Sequence, residues 1–469
     1  MAIFDLEKWH KNGISLGESG EIMLFRKISA ELEKFYGGDE RCALLLTGAR
    51  QVGKTFVVRE TARRRFRVFA EVNFIKTPEA KNLFAHGMPD EKEFFVLLSA
   101  VTGKKLVPGE TLVFFDEVQE CPEAVTFVKF LVDDGRFRYV LSGSLLGVEL
   151  NDLRSAPVGY LRELEMFPLD FEEFVRANGI DDDALRLVGE RCASGGEVPA
   201  VLHDRLMRLF RLYLVVGGMP AVAQAYVDTN DLARVARTQK AIVAEYKRDA
   251  AKYDAANKMK IVRTLELVPS ELDAKNKRFR FSDLSARGKF ERLEDNFVWL
   301  AKAGVAVPVY NVDSPKSPLE LAKKASLFKL FMNDVGLLAS QYAAGIQLEI
   351  LTGRTDVNFG AVYENFVAQE LRAHGFDRIY YFSSKRHGEV DFLVETVRGA
   401  EPIEVKSGAD FKAHKALDNV LAVGEYGLSG AKVLCNSPVV ELGATSYFPI
   451  YATMFVAGNE TPPELIYKV

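Results

Sequence analysis

Eight consecutive residues have the types and spacing to hold a chain of phosphates: Gly48-Ala49-Arg50-Gln51-Val52-Gly53-Lys54-Thr55. Glycine lets the backbone close around an anion without a Cβ in the way. The loop amides and the N-terminus of a following helix present positive dipole to that anion. In such a loop Lys54 reaches the β- and γ-phosphates and the Thr55 hydroxyl binds magnesium. An apolar run over 42–47 leads in and a helical stretch over 54–64 leads out. That is the strand, loop, helix order a Walker A motif needs.

A second pair of residues gives the loop its counterpart. The run 111–115 reads as a buried strand and ends in Asp116-Glu117. A carboxylate at such a strand end, Asp116, can hold magnesium through water. Its neighbour Glu117 can polarise an attacking water. Alone, the pair has a lesser reading as a cap for the helix after Pro122; beside the loop, phosphate chemistry leaves little room for it. A further strand-like run, 138–141, ends in Ser142-Gly143-Ser144. Either Ser142 or Ser144 could sense a γ-phosphate, and a plain Ser-Gly turn explains each as well.

These residues need a scaffold. Strand-like runs (42–47, 67–74, 111–115, 138–142) alternate with helical ones (54–64, 90–101, 122–132), which predicts an α/β fold with a parallel sheet. Ligand then sits at the carboxyl ends of the strands, where Gly48 and Asp116 both fall.

A second chemical signal lies near the other end. The pattern predicts a helix over 361–374 carrying Glu364, then strands over 378–382, 389–395 and 402–406, a helix over 411–423 and a strand over 432–435. Glu389-Val390-Asp391 falls on the second strand and Glu404-Val405-Lys406 on the third. Strand alternation puts Glu404 and Lys406 on one face. Asp391 and Glu404, with Glu364 as a further ligand or orienter, could bind a divalent cation through hard oxygens. Lys406 would then orient a water or stabilise developing charge. Glu-x-Lys alone carries little weight, since it recurs at Glu79-Ala80-Lys81 and Glu245-Tyr246-Lys247. His387 beside this set is a candidate proton carrier, or simply a loop residue.

Between the two signals, 172–253 is mostly helical. Leu206, Leu209, Tyr213 and Val216 recur at helical spacing, which predicts a core-facing stripe, and Gly217-Gly218 breaks the helix. Helices followed by a small β element over 258–310 suggest a winged helix. Lys275, Lys277, Arg278, Arg280, Arg287 and Lys289 crowd one stretch there and could grip phosphates, or form a solvated basic loop or protein docking face. The segment Phe328-Lys329-Leu330-Phe331 reads as a packed strand-turn element with no chemistry of its own.

The bulk numbers set bounds. The chain has 469 residues, 48% hydrophobic and 27% charged, so several soluble globular units are expected. Net charge is −4, so any nucleic-acid contact must come from a local patch. Cys42, Cys121, Cys192 and Cys435 form no CxxC pair, which speaks against structural zinc and a disulfide framework and for a reducing compartment. The first residues show no basic stretch followed by an apolar run, so no secretory leader is expected. The uncharged stretch 212–227 is short for a membrane span and is interrupted by Gly217-Gly218 and Pro220. A cytoplasmic protein without a membrane partner is the expectation.

Taken together, GARQVGKT, LVFFDE, SGSLLG, the segment from Pro157-Val158-Gly159-Tyr160 through Met166-Phe167-Pro168 to Phe174, Gly217-Gly218-Met219-Pro220, and the segment Phe328 to Leu337 resemble a known family. It is the prokaryotic AAA-type P-loop ATPases that carry a C-terminal domain of unknown function (DUF4143). The C-terminal element order resembles the PD-(D/E)xK nuclease core. The resemblance implies a P-loop core over 1–175, a helical lid over 176–255, a winged-helix-like part over 256–345 and a restriction-endonuclease-like α/β domain over 346–469. It implies ATP and Mg2+ as cofactors, DNA as a partner, and a homo-oligomer or a protein partner. Tyr160 stands where the family more often has a basic residue, which leaves Arg154 and Arg162 as candidates for an arginine acting on a neighbouring subunit. Each is also explained by an ordinary salt bridge.

Three readings follow. One is an ATP-driven protein acting on DNA, branched, damaged or invading. Another is a nucleotide-switched module that binds protein or DNA without cleaving it. A small-molecule kinase shares the loop, but it leaves Glu117 and the C-terminal domain without a role.

Overall fold

The computed structural model describes residues 15–16, 22–84, 91–143, 159–253, 258–273, 279, 294–353 and 359–458. The chain forms two compact units. One comprises residues 26–167 with 302–305, and the other holds most of the rest.

The first unit contains α1 (Ile28–Gly37), β1 (Ala43–Thr47), α2 (Lys54–Arg65), β2 (Val68–Asn73), α3 (Glu91–Thr102), β3 (Thr111–Asp116), α4 (Pro122–Asp134), β4 (Arg138–Ser142) and β5 (Leu161–Glu165). The five strands form one sheet in the order β2-β3-β4-β1-β5, and every pairing is parallel. All residues of β1 and β3 are buried, as continuous apolar runs covered by helices on both faces should be. The register sets Asn73 beside Asp116 and Leu46 beside Ser142, so the polar strand ends gather at the carboxyl end of the sheet. One flank is filled by interlocking rings of Phe74, Phe84, Phe94, Phe115 and Phe127. The four sequence-predicted strands are present to within a residue or so; β5 carries no clear apolar run and was not anticipated.

The second unit begins with helices α5 (Phe171–Ala177), α6 (Asp182–Ala193), α7 (Ala200–Val216), α8 (Pro220–Thr229), α9 (Leu232–Tyr253) and α10 (Lys258–Asp273), followed by α11 (Glu294–Lys302). Then come β6 (Ala306–Val312), β7 (Lys323–Met332), α12 (Val335–Ala339), α13 (Ala344–Thr352), α14 (Gly360–Ala373), β8 (Tyr380–Ser384), β9 (Gly388–Thr396), β10 (Gly399–Val405), α15 (Lys415–Leu421), β11 (Ala431–Cys435), β12 (Val440–Leu442) and β13 (Thr445–Pro449). The strands make one mixed sheet, β12-β13-β11-β10-β9-β8-β6-β7. The expected order from 361 to 435, helix, three strands, helix, strand, is present.

This division differs from the expected four parts. The boundaries at 176, 256 and 346 fall inside one unit, for two reasons. First, β6 pairs in parallel with β8, so the strands expected to form a separate wing extend the C-terminal sheet. Second, Phe171, Phe210, Tyr213 and Phe366 pack edge to face, tying α5 and α7 to α14. Glu370 on α14 also accepts the backbone N–H of Phe171. The helices expected as a lid thus belong with the C-terminal sheet. On α7, Leu206, Tyr213 and Val216 are buried as the spacing predicts, while Phe210 takes the inward place expected for Leu209. The basic residues between Lys275 and Lys289 lie outside the described residues.

Candidate functional site

The loop Gly48–Thr55 joins β1 to α2, and its backbone explains its glycines. Gly48 has φ +131°, and a Cβ there would lie 2.2 Å from the Met166 carbonyl oxygen. Gly53 has φ +97° at the N-cap of α2. Gln51 takes a left-handed φ of +65°, which costs a non-glycine residue energy and marks a site where shape outweighs local preference. Ala49 and Val52 are buried and fix the loop from beneath. Arg26, itself buried, donates to the carbonyls of Val52 at 2.8 Å and Phe167 at 2.6 Å, so it ties the loop to the strand beside it. Nothing local in the sequence around Arg26 signalled that role.

Lys54 is buried, and its Nζ donates to the carbonyls of Gly48 and Ala49 at 2.8 Å each. Burial pushes its pKa down to about 8, against the opposing pull of Glu117 and Asp116. An ammonium folded back on its own loop carbonyls is poised to turn outward to a phosphate that offers stronger, charged acceptors.

The Thr55 hydroxyl donates to Asp116 Oδ2 at 3.0 Å. Asn73 Nδ2 donates to the same oxygen at 2.8 Å, and Ser142 donates to Asp116 Oδ1. Asp116 is therefore a buried carboxylate oriented from two strand ends and the first turn of α2, beside the hydroxyl with which it would share a magnesium. This hard-oxygen pair fits that ion. Asn73 was not singled out in the sequence; only its place one strand over, in register with Asp116, reveals it. Ser142 is fully buried and bonded to Asp116, so it orients that carboxylate. Ser144 and Arg154 lie outside the described residues.

Glu117 follows in a left-handed conformation, φ +57° and ψ +44°, and its side chain accepts from Gln119 Nε2. The half-buried carboxylate thus lies just past the carboxyl end of β3, held by Gln119. Arg162, on β5, pairs with Glu40 at 3.1 Å and Glu31 at 3.5 Å, the salt-bridge alternative that the sequence offered.

The second unit gathers the C-terminal set, with one addition. Glu364 on α14, Glu389 and Asp391 on β9, and Glu404 on β10 lie near one another, and Lys406 Nζ donates to Glu404 Oε1 at 2.9 Å. The unforeseen member is Lys329 on β7, with a side chain 0% exposed. Its ammonium pairs with Glu389 at 2.8 Å and Glu364 at 3.4 Å and lies 5.0 Å from the centre of the Tyr381 ring. Burial alone would lower its pKa; Glu364, Glu389 and Asp391 outweigh this and hold it well above the usual lysine value. Burial likewise pushes the Glu404 carboxyl up, against Lys406. The visible signal for Lys329 was a lysine inside the apolar half of β7, Leu327 to Met332.

The expected metal set of Glu364, Asp391 and Glu404, with Lys406, meets in one region, and each of its carboxylates has a protein partner there. Asp391 Oδ2 accepts the Val405 N–H at 2.9 Å, Glu404 faces Lys406, and Glu364 faces Lys329. Among the described residues no group of three or more His, Cys, Asp or Glu is arranged to hold a metal ion. His387 sits in the turn before β9, its ring packed with those of Phe382 and Tyr426.

Comparison with known proteins adds the following. A family model described as an AAA domain matches residues 40–175, and one for a domain of unknown function (DUF4143) matches residues 359–440. The chain therefore carries an AAA-type P-loop ATPase domain and a C-terminal DUF4143 domain. In this ATPase a second domain of unknown function (DUF8612) matches residues 207–348, across helices and strands that share one unit. No curated protein matches the chain. Among solved structures, it is similar to the Walker-type ATPase PABY2304 of Pyrococcus abyssi, at 13% identity and a TM-score of 0.40, covering 70% of this chain and 98% of that one. It is also similar to the Aeropyrum pernix ORC1 protein in complex with DNA, at 13% identity and a TM-score of 0.26, covering 70% and 90%. The Thermotoga maritima RuvB Holliday junction branch migration motor is similar at 14% identity and a TM-score of 0.26, covering 63% and 90%. At these scores none of the three bears on what this ATPase does. Among the described residues no helix is long and apolar enough to cross a membrane.

Proposed function

We propose that this ATPase hydrolyses ATP at the loop Gly48–Thr55 and uses turnover to drive its second unit on DNA. The observation that carries the catalytic half is the pairing of Thr55 with Asp116 at 3.0 Å, directly before Glu117. Magnesium, when bound, supplies positive charge against the phosphates. The loop amides and Lys54 hold the phosphate oxygens and stabilise negative charge as the terminal group departs. Thr55 and Asp116 supply oxygen ligands, with Asn73 and Ser142 orienting Asp116. Glu117 polarises the attacking water.

The DNA half rests on the element order from 360 to 435, which is similar to a nuclease core. The second unit is then a DNA-binding part, in a cytoplasmic and oligomeric protein. The engagement of Glu364 with Lys329 favours the non-cleaving form of this reading, in which nucleotide state gates binding.

The test is magnesium-dependent ATP hydrolysis with single-stranded, duplex and four-way-junction DNA. Glu117→Gln should slow turnover on the order of 100-fold or more while retaining ATP binding. Stimulation by one DNA form, lost in that variant, supports the reading. Turnover indifferent to all three forms removes DNA as the partner and points to a protein.

A further inference from the structure

We infer that Lys329 is the resident cation of the C-terminal carboxylate cluster, placed where a divalent metal would otherwise neutralise Glu364, Glu389 and Asp391. The ammonium is 0% exposed and within 2.8 Å of Glu389 and 3.4 Å of Glu364. It enters from β7, outside the strands that carry Asp391 and Glu404, so the extension of the sheet by β6 and β7 is what delivers it. Once buried and paired, such a charge does not leave cheaply, because departure strands the carboxylates. A divalent cation entering beside it meets a like charge in a poorly screened interior. The other carboxylates have protein partners as well: Asp391 Oδ2 accepts a backbone N–H and Glu404 Oε1 accepts from Lys406. The nuclease-like set is thus closed by a side chain, and the cluster serves shape and charge rather than metal chemistry. The inference rests on reading residues 360–435 as a nuclease-like core, but it fails separately from the ATPase reading, which ATP turnover tests.

Binding of Mn2+ to the full chain, without nucleotide, decides it by electron paramagnetic resonance. An Asp116→Asn parent keeps the ATP site from contributing. The parent should show no manganese site that responds to Asp391→Asn. Lys329→Met, which keeps the stem and removes the ammonium, should gain one site, roughly tenfold or more tighter than any in the parent. Adding Asp391→Asn should abolish it. A parent that binds Mn2+ at a site lost with Asp391→Asn overturns the inference, and so does a folded Lys329→Met variant that gains nothing. If Lys329→Met does not fold by circular dichroism, the parent measurement alone decides.

Discussion

The carboxylate of Asp334 occupies the space that a side chain on Gly217 would need: a Cβ there would lie 2.3 Å from Asp334 Oδ1. The same carboxylate accepts the N–H of Gly218 at 2.6 Å and that of Leu337 at 2.8 Å, capping α12. Two segments far apart in the chain are thereby locked together inside the second unit. Gly218 meets a second wall, since its Cβ would lie 1.9 Å from the Leu169 carbonyl oxygen. Gly217→Ala and Gly218→Ala should each destabilise that unit by about 2–3 kcal/mol or more, read by urea denaturation. A loss under about 0.5 kcal/mol, the scale of an ordinary surface change, would mean this contact is not fixed.

Asp334 also predicts a pH dependence. Burial pushes its pKa up from 3.8 to about 6, against its backbone donors. The folded state therefore binds more protons between those values, and stability falls as pH rises through that window. The contribution is present below pH 3.8 and lost above about 6, amounting to roughly 3 kcal/mol. Subtracting the profile of Asp334→Asn from that of the wild type isolates it. A difference that rises with pH across the window would contradict the assignment.

Lys54 gives the opposite sign. Its folded pKa, lowered from 10.5 to about 8, means the unfolded chain binds the extra proton between these values, so stability from this group rises with pH there. Nucleotide affinity runs the other way. ATP favours the charged lysine, so affinity should fall above about pH 8, by up to roughly tenfold per pH unit. Titration with a fluorescent ATP analogue from pH 7 to 9.5 reads the bend, and a flat profile excludes a low pKa for Lys54.

Asn73 is a positioning residue, acting through Asp116. Asn73→Ala should raise the magnesium concentration needed for half-maximal turnover by about tenfold, with a smaller effect at saturating magnesium. An equal loss at all magnesium concentrations would give Asn73 some role other than holding Asp116.

Arg162 should prove ordinary. Its pairing with Glu31 and Glu40 lies at a partly exposed edge. Arg162→Ala should cost no more than about 1 kcal/mol and leave ATP turnover within about twofold. Loss of turnover with intact ATP binding would make it the arginine that serves a neighbouring subunit.

The sequence alone determined the parts whose chemistry is local. A phosphate loop must be glycine-rich and contiguous, and it follows β1 directly, so Gly48–Thr55 was legible as it stands. Buried parallel strands must be apolar throughout, so β1 and β3 were legible, and with them the position of Asp116-Glu117. The order of elements from 360 to 435 could be read from periodicity for the same reason. Tertiary structure decided whatever depends on strand order and on contacts between distant segments. Asn73 matters because β2 lies in register with β3, and no spacing along the chain encodes that. Lys329 reaches Glu364 and Glu389 because β6 pairs with β8, a long-range choice made by burial of two faces at once. The expected lid and wing joined the C-terminal sheet for the same reason: periodicity shows that a face is apolar, and only packing shows which partner buries it.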